Sequence, residues 1–196
     1  MKTGRYIVVV IAMLTAARAQ SLSGLELARA LSDDATRKAA VADIVAAERG
    51  RVPLLLSWAN TPPKGVSRIG LYIGMAMVFG SLKVKAAIPF LIKYIALPAG
   101  IPTPPWMKTT EVIVDRLPAL SALIQIGPDA AEAIMNVGWE HLGAYDRLAS
   151  LILVSRVGEG QAARDFINRA LGEANLQREF ATEALRTLEG RASPAK

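Results

Sequence analysis

The stretch "IQIGPDAAEAIM", residues 124–135, runs an apolar segment into Gly127-Pro128-Asp129 and out into an alanine-rich helical pattern. It encodes helix, tight turn, helix, and its plan recurs loosely along the chain. "LSDDATRKAAVADIV", "LKVKAAIPFLIKYI" and "VGEGQAARDFINRA" each place an apolar helix end before a polar or glycine turn. Each then carries an alanine pair and an amphipathic segment. The pairs are Ala39-Ala40, Ala86-Ala87, Ala130-Ala131 and Ala162-Ala163. Taking Leu31, Leu82, Ile126 and Val157 as anchors, the spacings are 51, 44 and 31 residues, so the array is degenerate rather than strictly periodic. One helix pair cannot cover its own apolar face, so the plan demands stacked neighbours. Small residues early in the second helix let adjacent helices approach closely.

The rest of the chain agrees with helices. Aromatic residues make up 6% and hydrophobic residues 52% of its 196 positions, enough for a sizeable core but poor in strand formers. Ser32, Asp33 and Asp34 are good N-cap residues for a helix with Ala40, Ile44 and Ala47 along its inner stripe. "RVPLLLSWAN" reads as a short helix with Pro53 in its first turn and Trp58 in the core. Residues 69–82 carry no charge. They rise only about 21 Å as a helix, too little for a bilayer core, so a buried central helix is expected. In it, Gly70 and Gly74 would admit a neighbour closely. Ile88, Leu91, Ile92 and Ile95 keep helical spacing. Pro118 should kink or split the helix that starts near Thr110. Residues 98–108 form a proline-rich loop. At the C-terminal end, Leu176, Phe180, Ala184 and Leu188 share one face, with Glu183 and Arg186 paired outside it. The fold class expected is all-α, built of stacked antiparallel helical hairpins.

The N-terminus reads as an export signal over residues 1–19. Lys2 and Arg5 precede a short apolar run, and Ala17-Arg18-Ala19 supplies a small-residue cleavage box before Gln20. One helical domain is then expected over 20–190, with 191–196 a frayed tail. The expected location is outside the cytoplasm, periplasmic or extracellular in a bacterium. Lys2, Arg5 and Arg18 are the signal's only charges, so its removal lowers the net charge from +6 to +3. That weak, unclustered surplus argues against a nucleic-acid partner. The chain has no cysteine, which excludes disulfides and a lipid-modified cysteine anchor.

The inventory for chemistry is thin. His141 is the one histidine. Its neighbour Glu140 points to a different side of a helix, so the two cannot readily share a metal. His141 near Gly143 reads as a helix C-terminal residue that complements the dipole. Neither a nucleophile elbow nor a glycine-rich phosphate loop occurs. No catalytic residue, metal site or cofactor is expected. Trp106, with Met107 and Lys108 on the proline-stiffened loop, would suit an apolar anchor for a partner, or a lid folded back on the helices. Trp139 is the other candidate at a partner surface, or a wedge between hairpins.

"LSDDATRKAA" resembles the Asp-then-Arg turn phrase of HEAT repeats, with Asp33 or Asp34 and Arg37 in the matching places. "LPALSALIQIGPDAAEAI" resembles the first helix, glycine turn and second helix of the short HEAT-like form found in phycobilisome lyases. Pro118 matches a proline frequent in that first helix. The likeness runs over about residues 25–189, and its uneven spacing departs from a regular superhelix. It implies an irregular α-α stack that binds another protein. The function expected is that of an exported, non-catalytic interaction or scaffold module. Two alternatives have a residue-level motive: a membrane-associated helical envelope protein, from residues 69–82, the Gly70–Gly74 pair and an N-terminal segment retained as an anchor, and a hydrolase or transferase using His141 with Glu140 or Asp146.

Overall fold

The computed structural model describes residues 23–47, 49–97, 110–172 and 176–192. Among them every regular element is a helix, and the fold is all-α. The expected export signal and the 98–108 loop lie outside the described residues, apart from the loop's neighbours up to Leu97. Contacts group the chain into two units, divided between Val84 and Lys85.

In the first unit, α1 (Gly24–Ser32) opens with a reciprocal cap. The Ser23 amide donates to the Glu26 carboxylate at 2.9 Å, and the Glu26 amide donates to Ser23 Oγ at 3.4 Å. A single extended residue, Asp33, then serves two helices. It ends α1, and its carboxylate accepts from the Thr36 amide at 3.2 Å to start α2 (Asp34–Ala46). Short polar side chains favour this position because they satisfy amides that have no intrahelical acceptor. Helix α3 (Val52–Asn60) carries Pro53 in its first turn and buries Val52, Leu55 and Trp58. Trp58 is therefore core, as its leucine-rich setting implied.

Helix α4 (Arg68–Ser81) starts at Arg68 and then takes up the uncharged run, buried from Gly70 to Ala76 and again at Val78, Phe79 and Gly80. It packs on α1 and α2. The Gly70–Gly74 pair faces α1: an added Cβ at Gly70 would sit 2.1 Å from the Ser32 carbonyl oxygen, and one at Gly74 2.6 Å from that of Leu31. No residue with a side chain fits there. Helix α4 ends in a Schellman motif. The Lys83 amide donates to Gly80 O at 3.0 Å and the Val84 amide to Phe79 O at 2.8 Å, with Lys83 in the left-handed region at φ 49°.

The second unit begins with a 3₁₀ turn at Lys85–Ala87 that leads into α5 (Ile88–Lys93). Helices α6 (Thr110–Arg116) and α7 (Pro118–Ile126) are separated only by Leu117, so Pro118 splits the segment and becomes the first residue of a new helix. Gly127, at φ 100°, joins α7 to α8 (Pro128–Val137). A 3₁₀ turn at Trp139–His141 leads to α9 (Ala144–Val157), followed by α10 (Gly160–Leu171) and α11 (Leu176–Ala192). Helix α9 packs against α7, α8, α10 and α11. Its residues Ala149 to Val154 and Ser155 are all buried, so about two turns are covered on every side. The two serines in that stretch return their hydroxyl protons to the helix, Ser150 to Asp146 O at 2.7 Å and Ser155 to Ile152 O at 2.9 Å. Neither leaves an unpaired polar atom in the core.

One device recurs at helix ends. The last carbonyls of a helix have no intrahelical donor and sit at the negative end of its dipole, a place suited to a guanidinium. Arg37 donates from Nε to Leu31 O at 2.9 Å and from a terminal nitrogen to Ser32 O at 3.1 Å, closing α1. The same Arg37 pairs with the Asp34 carboxylate at 2.6 Å. Arg49 donates to Leu82 O at 3.2 Å beyond α4. Arg191, on α11, donates to Arg156 O at 2.5 Å and Gly158 O at 2.6 Å, closing α9. In unit 1 the carbonyls closed by Arg37 are those that Gly70 and Gly74 approach. Only a backbone stripped of Cβ can share them with the guanidinium.

Candidate functional site

The turn between α8 and α9 gathers more of the singular residues than any other described region. Helix α8 stops at Val137 because Gly138 takes φ 86°, a conformation that strains any residue with a side chain. The chain then winds through Trp139–His141, with the His141 amide donating to Gly138 O and the Leu142 amide to Trp139 O, each at 3.2 Å. Gly143 starts α9.

Trp139, expected as a wedge or at a partner surface, is only 5% exposed. Its ring meets Phe166 of α10 edge to face, with centroids 5.4 Å apart and planes at 83°. The Arg147 guanidinium lies over the same ring, 5.1 Å from its centroid, and its Nε donates to the Trp139 carbonyl at 3.2 Å. Indole, phenyl and guanidinium thus lock the turn to α9 and α10 through ring-edge and cation–π attraction. Any share Trp139 has in binding passes through the turn it holds. Trp106, Met107 and Lys108 lie outside the described residues.

His141 is exposed at the end of the 3₁₀ turn. Glu140 reaches toward Arg169 at 3.9 Å, both side chains being largely in solvent, an ion pair of small energetic weight. Asp146 turns back on its own helix start. Partial burial pushes its carboxyl up, and the Gly143 amide that it faces opposes this by favouring the charged form. Among the described residues no group of three or more histidine or carboxylate side chains could hold a metal ion.

Two apolar side chains beside the turn are exposed. Tyr145, in the first turn of α9, is 74% exposed, and Val137, at the end of α8, is 37% exposed. Sequence spacing did not single out Tyr145. Its one signal is position: it follows the Gly143 cap and precedes the buried run at 149, which leaves it outside the packed part of α9.

No family model matches this chain, and no curated protein or solved structure matches it.

A functional reading therefore rests on the residues themselves. The described helices give no candidate for crossing a membrane, none being both long and apolar enough. The glycine pair that could have served as a membrane helix–helix face is occupied by α1 inside the first unit.

Proposed function

We propose that this chain is an exported, non-catalytic helical protein whose hairpins stack in HEAT-like fashion and which presents a surface to another protein as an interaction or scaffold module. The observation that carries the reading is the α8–α9 turn, where a mostly exposed tyrosine stands on a turn immobilised by a buried Trp139. A tyrosine offers a large amphipathic contact with few rotamers to freeze, and a fixed turn lowers the ordering cost of binding. The short apolar run and small-residue box at residues 1–19 support export, with Gln20 as the first residue of the mature form.

The test places a photo-reactive phenylalanine analogue at position 145 in the cells that make the protein, with the same analogue at Glu189 as a control. A discrete adduct with a second polypeptide at 145, absent at 189, supports the reading. No adduct at 145, together with turnover of any substrate by the purified chain, overturns it. N-terminal sequencing of the mature protein, starting at Gln20 or at Met1, decides export separately.

A further inference from the structure

We draw no further inference here: the strongest candidate, the exposed Tyr145 and Val137 surface at the turn between α8 and α9, belongs to the site already described, and nothing in the structure shows what covers it.

Discussion

Gly70 lies so close to Ser32 that a Cβ on it would stand 2.1 Å from the Ser32 carbonyl oxygen. The obstacle is backbone, not the far end of a flexible side chain, and Arg37 holds that same carbonyl. Gly70→Ala should lower unfolding stability by roughly 3 kcal/mol, the upper end of what an extra methyl in a packed interior costs. Gly74→Ala, with its nearest atom 2.6 Å away, should cost about 2 kcal/mol. Gly190, in α11, would meet nothing within 4 Å. Gly190→Ala should therefore gain about 0.5 kcal/mol through helix propensity. Urea denaturation of the three variants checks the order.

Lys83 holds a left-handed backbone at φ 49° where the Schellman motif after α4 ordinarily takes glycine. Lys83→Gly should raise stability by about 1 kcal/mol, because the steric strain of a Cβ in that region disappears. A thermal melt with an unchanged or lowered midpoint would contradict this.

The guanidinium closures should differ according to burial. Arg37 has a side chain only 12% exposed and holds two carbonyls. Arg37→Met should cost about 2 kcal/mol, the scale of hydrogen bonds made by a charged group. Arg37→Lys should restore only part of it, since an ammonium lacks the planar fork. Arg191 sits in solvent, and Arg191→Met should cost about 0.5–1 kcal/mol. Amide exchange near the end of α9 should quicken in the Arg191 variant and stay unchanged in the Arg37 variant.

Two carboxylates should tilt the pH dependence of stability in opposite directions. Asp146 binds its proton more tightly when folded, so its contribution is most favourable at low pH and is lost as pH rises through its raised folded value. The stability of Asp146→Asn relative to the unaltered protein should therefore increase as pH climbs out of the acid range. Glu26 is lowered, first by the Ser23 amide and then by the Ser23 hydroxyl. Its contribution is present at neutral pH and is lost as pH falls through its folded value. Glu26→Gln should be the less stable protein at neutral pH, with the difference closing in acid.

Trp139 and Tyr145 should separate stability from binding. Trp139→Ala should cost about 3–5 kcal/mol, as truncation of a buried aromatic does. Tyr145→Ser should leave the unfolding midpoint unchanged within about 0.5 kcal/mol, a typical exposed substitution. On the interaction reading, Tyr145→Ser should nonetheless weaken capture of the partner trapped at that position.

Helical spacing made much of this architecture legible. The uncharged run from 69 to 82 forms most of α4 and is buried over most of Gly70–Gly80, its glycines do admit a neighbour, and Pro118 does divide a helix. Those features depend on residues a few positions apart, which is the range over which a pattern carries information. The guanidinium closures by Arg49 and Arg191 join residues 33 to 35 positions apart, where no spacing rule reaches. The division at Val84–Lys85 was hidden for another reason. The sequence punctuates at "NTPPKG" and at the prolines beyond 98, whereas the boundary between units falls in a tight helix end with no linker composition. At the candidate site, the type of Trp139 points to a wedge between hairpins, but spacing does not name the residues it wedges against. Phe166 and Arg147, which bury it, come from the next two helices.

The reach of Arg191 back to the carbonyls of residues 156 and 158 has a consequence for biosynthesis. A ribosome releases the chain from its N-terminal end, so α1 and α4 can meet once residue 82 has emerged. Helix α9 must wait about 35 further residues before α11 arrives to cover and close it. Until then α7 and α8, already made, can pack on α9, while the side that α11 covers stays open.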